Sequence, residues 1–316
     1  MYEIGGYFGL EQLISNEYYK DLIPLNSARN ALLYILRARK IKKIYLPYYV
    51  CSSIPKLCDR EGYQYEYYRI KEDFTPDFEY ALSDDEYIYI INFYGQISND
   101  KILSFKRRYD RIIVDNAQAF FQEPVKGVDT IYSSRKYFGV PDGAYLATDC
   151  LLDEELESDT AMDKMKHLLG RFETGKASDY YGEFLEVNKS FLNRPLRKMS
   201  RITQNILGAI DYKKAKETRE QNYLYLHERL ASKNILKLKS PVGAFVYPFY
   251  CENGMKIKEK LAQQKIYVPT LWPNVLESED FIAKDYTENI LPLPCDQRYG
   301  IKEMKKIIKE LQKCIN

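Results

Sequence analysis

A chain of 316 residues has room for one large domain and a smaller one, each with its own core. It is 45% hydrophobic and 29% charged, and no apolar run reaches the roughly 18 residues of a membrane span. The net charge is only +2 with both signs interspersed, so neither a membrane anchor nor a nucleic-acid footprint is expected.

The opening Met-Tyr-Glu-Ile-Gly-Gly lacks the basic start and apolar stretch of a secretory leader, which makes a cytoplasmic protein the expectation. Ser27 to Lys40 reads as a helix capped by Ser27, with Ala31, Leu32, Ile35 and Leu36 as its apolar stripe. Ile44-Tyr45-Leu46 is a short strand stopped by Pro47. Cys51 to Glu61 is a helix that tolerates Pro55 in its first turn. Gln64 to Ile70 and Tyr87 to Phe93 are strands, and Arg111 to Asp115 is a third that ends on its aspartate. Thr130 to Tyr132 and Ala144 to Thr148 are strands on either side of Lys136. Short apolar strands alternating with helices predict an α/β fold whose mostly parallel sheet is covered on both faces.

Residues 154 to 235 read as a charged helical connection broken at Pro195, with Ile202, Ile206, Leu207 and Ile210 as a stripe beyond it. A smaller α/β unit follows, with a strand at Ala244 to Tyr250 and helices at Lys256 to Gln264 and Ile301 to Cys314. The expected division is therefore 1–235 and 236–316.

The six cysteines, Cys51, Cys58, Cys150, Cys251, Cys295 and Cys314, form no Cys-x-x-Cys pair, and the only histidines are His167 and His227. No metal site is expected, and the thiols read as reduced and mostly buried. Acid–base chemistry must then rest mainly on Lys, Asp, Glu, Tyr or Cys. The thirty tyrosines read chiefly as packing residues with a hydrogen-bonding tip. Two glycine patterns carry no function. Gly170 to Lys176 imitates a phosphate loop but has Ala177 where a hydroxyl is needed, and the segment before it reads as helix and not as strand. Gly5 to Gly9 has no strand before it.

Ligands of an open parallel sheet bind at the carboxyl ends of its strands. Three features fall there: Asp115, the turn Ser27-Ala28-Arg29 that opens the first long helix, and Lys136 in Tyr132-Ser-Ser-Arg-Lys-Tyr-Phe-Gly139. In chain order, Leu25-Asn-Ser-Ala-Arg-Asn-Ala-Leu32, Tyr45-Leu-Pro-Tyr-Tyr-Val-Cys51, Val114-Asp-Asn-Ala-Gln-Ala119, Ser134-Arg-Lys-Tyr-Phe-Gly139 and Pro141-Asp-Gly143 resemble the DegT/DnrJ/EryC1/StrS family of sugar aminotransferases. Tyr267 to Pro273 and Leu291 to Pro294 extend the likeness into the smaller unit.

The resemblance implies fold type I, the aspartate-aminotransferase fold, with pyridoxal 5'-phosphate as cofactor. It implies that Lys136 forms the Schiff base and shuttles the proton, a transfer worth roughly 10²–10⁴-fold in rate. Asp115 matches the aspartate that pairs with the pyridine nitrogen, and Gln118 the glutamine near the ring oxygen. Ser27 and Ala28 match the phosphate-binding turn, where backbone amides at a helix N-terminus favour an anion. Ser133 or Ser134 would add a hydroxyl there. Cys51 stands where relatives often carry an aromatic over the ring, with Tyr49 as the alternative.

The family's Gly-Gly is Gly143-Ala144 here, and the asparagine lent by a neighbouring subunit has no clear counterpart around Asn193 to Ser200. The implied reaction moves an amino group, from glutamate, onto a keto-sugar linked to a nucleotide, in a homodimer with its site near the interface. The alternatives are another pyridoxal-phosphate reaction, such as a lyase or dehydratase, and a degenerate binding relative without catalysis.

Overall fold

The computed structural model describes residues 4–315. Its first part runs β1 (Ile23–Leu25), α1 (Ala28–Ala38), β2 (Lys43–Pro47), α2 (Ser53–Glu61), β3 (Gln64–Ile70), β4 (Pro76–Asp77), β5 (Glu86–Ile91), α3 (Asn99–Tyr109), β6 (Ile112–Asp115), β7 (Asp129–Ser133) and β8 (Ala144–Ala147). There follow α4 (Lys166–Thr174), α5 (Tyr181–Ser190), α6 (Arg201–Gly208) and α7 (Tyr212–Leu230), then β9 (Tyr247–Tyr250), α8 (Gly254–Gln263), α9 (Phe281–Asn289), β10 (Ile290–Leu293) and α10 (Ile301–Ile315).

Eight strands form one sheet in the order β1-β8-β7-β6-β5-β2-β3-β4. The five central strands, β3, β2, β5, β6 and β7, are parallel. β8, β1 and β4 join antiparallel at the flanks. From β2 the chain first steps outward to β3, then returns across β2 to β5, β6 and β7. β2 and β5 are thus the neighbours at which strand order reverses, and a crevice opens at their carboxyl ends. The continuous apolar run Ile88–Ile91 is buried, as strands covered on both faces require.

α1 packs on this sheet through Ala31, Leu32, Ile35 and Leu36, all at most 1% exposed. Ser27 caps it in extended backbone (φ −160°), its Oγ accepting the Asn30 amide at 3.2 Å. Such a cap is worth about 1 kcal/mol. A second core joins Tyr223, Leu226 and Leu230 of α7 to β9, α8, β10 and α10. α7 therefore carries side chains of that core while Tyr212 and Ala215 at its start pack with Phe120, Tyr132 and Phe138 near the main sheet.

Five elements have no counterpart in the sequence pattern, among them the two-residue β4. β1 is three residues long and exists through its pairing with β8. α3 carries the buried stripe Ile102, Phe105 and Tyr109 behind the cap Ser98. α9 runs directly into β10, where Pro292 faces Pro248 of β9 across a two-stranded ladder, an edge position that needs no N–H. Residues 154–161 are irregular, not helical. They are tied down by Asp159, which accepts from Asn26, Lys164 and Arg194 at 3.0–3.3 Å, so this stretch buttresses the start of α1. Gly170 lies inside α4, which disposes of a phosphate loop there. All six cysteines are free, but only Cys58 and Cys295 are buried, so the expectation of mostly buried thiols fails for the other four. Among the described residues no helix is long and apolar enough to cross a membrane.

Candidate active site

A cavity of about 190 Å³ opens at the carboxyl edge of the parallel strands. The start of α1 supplies Ser27, Ala28 and Arg29, and the segment after β2 supplies Val50 and Cys51. Tyr89 and Ile91 come from β5, Asp115 and Ala117 from β6 and its exit, and Ser133, Arg135 and Lys136 from the end of β7. Phe191 and Trp272 reach it from distant parts of the chain. Six of the residues expected from sequence thus meet here: Ser27, Ala28, Cys51, Asp115, Ser133 and Lys136. Gln118, Tyr49 and Ser134 do not line it.

Asp115 is held at both oxygens. Tyr89 Oη donates to Oδ2 at 2.7 Å and the Ala117 amide donates to Oδ1 at 2.7 Å. Burial, and then the Asp115 charge, hold the Tyr89 phenol well above its ordinary pKa, so Tyr89 remains a donor. Nothing in the apolar strand pattern of Tyr87 to Phe93 singles Tyr89 out.

Gln118 stands behind the wall and is 2% exposed. Its Oε1 accepts the Tyr94 amide at 2.9 Å, holding the turn in which Tyr94 and Gly95 have φ of 55° and 71°. Its Nε2 is buried and has no partner. Tyr49 is fully buried, with its hydroxyl 2.9 Å from that of Tyr94. It stacks on Phe93 at 5.1 Å and meets Trp272 edge-on at 4.9 Å. Of these stacked aromatics Trp272 is the one that reaches the cavity, which Cys51 also lines, and Tyr49 supports it. Of the two serines, Ser133 lines the cavity, while Ser134 is fully buried with an unpartnered hydroxyl.

Lys136 ends the short 3-10 turn Ser134–Lys136. Its ammonium lies 5.7 Å from the Phe245 ring centroid, and it makes no hydrogen bond or ion pair among the described residues. Its backbone, in contrast, is fixed. The next carbonyl, that of Tyr137, accepts from Arg219 Nη2 at 3.1 Å and from Gln297 Nε2 at 2.8 Å. Arg219 is 1% exposed and also donates to Gln297 Oε1 at 2.6 Å and to the Ala244 carbonyl at 2.8 Å. Its guanidinium lies 4.3 Å over the Tyr137 ring.

The Pro141-Asp142-Gly143 segment closes the lysine loop. Buried Asp142 accepts from the Ser200 amide at 3.0 Å, from the Ser200 hydroxyl at 2.7 Å and from Thr203 Oγ1. Gly143 adopts φ +114°, and a Cβ there would sit 2.9 Å from Thr203 Cγ2. Gly143 also donates its amide to the Asn26 carbonyl at 3.0 Å and accepts from the Ser134 amide at 3.2 Å. One residue thus joins the lysine loop to the start of α1.

A more open groove of about 380 Å³ lies between α4 and α5. Its Lys166 and Glu183 pair with each other at 2.6 Å, and it gathers none of the predicted site residues.

The fold has close counterparts among solved structures. A DegT DnrJ EryC1 StrS aminotransferase from Brucella abortus superposes with a TM-score of 0.62 at 14% identity, covering 93% of this chain and 86% of the other. DesV from S. venezuelae, solved in complex with a ketimine intermediate, gives 0.64 at 14% identity over 93% and 84%. The putative sugar aminotransferase Spr1654 from Streptococcus pneumoniae in its PLP form gives 0.64 at 15% identity over 92% and 86%. No protein-family model and no curated protein sequence matches the chain. The chain has the fold of these aminotransferases. That agrees with the α/β architecture expected from its strand and helix pattern.

Proposed function

We propose that the protein is a pyridoxal-phosphate-dependent aminotransferase acting on a keto-sugar. The carrying observation is the convergence of Lys136, a doubly hydrogen-bonded Asp115 and the N-terminus of α1 on one cavity, in a chain folded like sugar aminotransferases. The donor set suits the cofactor: one primary amine, one fixed carboxylate, and backbone amides at a helix start backed by two arginines. Pyridoxal phosphate, when bound, supplies an aldehyde carbon and a ring that withdraws electrons when its nitrogen is protonated.

Lys136 Nζ is the primary amine that would hold the cofactor through that aldehyde carbon, and when free it would move a proton to and from the substrate carbon. Its freedom from other partners leaves it available for both tasks. Asp115, oriented by Tyr89 and Ala117, would face the ring nitrogen and favour its protonated form. Ser27, Ala28 and Ser133 would hold the phosphate, and Cys51 and Trp272 the ring faces. Gln118 acts from behind, through the turn at Tyr94.

We read glutamate as the amino donor and a nucleotide-linked keto-sugar as the acceptor, in keeping with the sequence motifs. We also read residues 1–235 as the cofactor-binding unit, 236–316 as the smaller one, and the active form as a cytoplasmic homodimer. Leu169, Phe172 and Tyr181 on α4 and α5 are more than half exposed, which supports a covered face there. Light scattering on the purified protein tests the dimer.

The decisive experiment is the absorbance spectrum after adding pyridoxal phosphate to wild type and to Lys136→Ala. The proposal expects a near-visible band that needs Lys136 and bleaches with glutamate. Absence of any lysine-dependent band refutes it.

A further inference from the structure

We propose that Arg29 and Arg135 form a phosphoryl-binding fork at the mouth of α1, completing the anion site that backbone amides alone would leave half-built. The inference rests on the cofactor reading only for the identity of its ligand. The site itself is defined by charge and geometry.

Both arginines line the cavity. Neither forms an ion pair among the described residues. Arg29 donates to the Phe191 carbonyl, and Arg135 Nη2 donates to Asn188 Oδ1 at 2.8 Å. The Nε of each is buried and unpartnered. Arg194 has an unpartnered Nε as well and shares the Phe191 ring with Arg135, at 5.0 and 4.3 Å, but it differs in having an ion pair, with Asp159 at 3.1 Å. Three cations face the cavity, Arg29, Arg135 and Lys136, against the single carboxylate of Asp115. Burial drags the Arg135 pKa down to about 10, opposed in part by the charge of Asp142, and lowers that of Arg29, as expected for cations desolvated without an ion-pair partner.

A partly buried cation with an unpartnered Nε and no ion pair gains from any anion that neutralises it. Arginine presents a planar fork of donors that matches phosphate oxygens two at a time. Phe191 holds Arg135 in place by stacking and fixes Arg29 through its carbonyl, so the pair is preorganised. The ligand class is a phosphoryl group. Two sources fit, the phosphate of the cofactor and the diphosphate of a nucleotide-linked substrate.

The test compares wild type, Arg135→Gln, Arg135→Lys and Arg29→Gln. The first probe is inorganic phosphate. It should raise the wild-type melting midpoint beyond an equal ionic strength of sodium chloride, and this rise should vanish in Arg135→Gln. The second is the pair pyridoxal phosphate and pyridoxal, titrated by absorbance. Arg135→Gln should weaken pyridoxal phosphate by about 10-fold or more and leave pyridoxal unchanged, with Arg135→Lys recovering only part of the loss. A loss confined instead to competition by uridine diphosphate assigns the fork to the substrate. Wild type that ignores phosphate, or arginine variants that bind every phosphorylated probe as wild type does, overturns the proposal. Equal loss for pyridoxal and its phosphate overturns it too. A wild type with no lysine-dependent band but an Arg135-dependent phosphate response overturns the cofactor reading alone. Should Arg135→Gln not fold, Arg29→Gln carries the same comparison.

Discussion

Tyr89 reaches diagonally across two parallel strands to Asp115. Ile91 is the register partner of Asp115, and Tyr89, two residues earlier on the same face, places its hydroxyl 2.7 Å from Oδ2. The carboxylate is thereby oriented from inside the sheet and not from solvent. Tyr89→Phe removes this donor while keeping the ring. A hydrogen bond to a charged acceptor contributes about 1.5–3 kcal/mol, so the expected result is a comparable loss in denaturant stability with a fall in amine-transfer rate of roughly 10-fold. An unchanged rate would mean that the Ala117 amide alone fixes Asp115.

Arg219 joins the lysine loop to the segment that enters β9 and to Gln297. Arg219→Gln leaves the Tyr137 and Ala244 carbonyls short of donors in a dry site, and each such loss costs about 1–3 kcal/mol. Urea unfolding should show a loss of about 3 kcal/mol. Arg219→Lys should rescue little, because a single ammonium cannot span acceptors that a guanidinium reaches with three nitrogens.

Gly143→Ala meets two obstacles, a left-handed backbone at φ +114° and Thr203 Cγ2 at 2.9 Å. The expected loss is about 1–3 kcal/mol. The double variant with Thr203→Ser, which removes that methyl and retains the hydroxyl bonded to Asp142, should recover the steric part alone.

Lys258 is 6% exposed, donates to the Thr287 carbonyl at 3.1 Å, and is brought by burial to a pKa of about 8 from 10.5. Folding therefore favours its neutral form. Below about pH 8 the lysine is charged both folded and unfolded, and the burial penalty is present in full. Between about 8 and 10.5 the unfolded chain binds more protons, so this group's contribution to stability rises with pH. Lys258→Met should raise stability at pH 7 by up to about 3 kcal/mol and flatten that rise, as read by urea midpoints from pH 7 to 10.

Periodicity located the long elements because their burial is regular: the α1 stripe and the run Ile88–Ile91 are apolar where the fold needs them. The positions of Asp115, Ser133 and Lys136 at strand ends followed from the same pattern, since a chain leaving a parallel strand exposes its polar residues at one edge. Other features had no local signature. β1 depends on a partner more than a hundred residues away. Tyr89 looks like any core tyrosine until its neighbour is known. Gln118 and Tyr49 carry the right residue types, but the turn at Tyr94 draws both behind the wall. Arg29 and Arg135 sit beside motif residues, and only their lack of an ion pair among the described residues sets them apart.

Trp272 forms part of the cavity wall, and Asn274 nearby bonds to the Val50 carbonyl at 3.0 Å and accepts the Ser52 amide at 3.2 Å. Lys136 leaves the ribosome 136 residues before Trp272. At about 5–20 residues per second, the first half of the chain waits on the order of ten seconds for the residue that completes its pocket. A ligand held in that pocket stabilises only the finished chain, because mass action rewards the state that binds. Ligand supply during translation then acts on the yield of mature protein, separately from its effect on turnover.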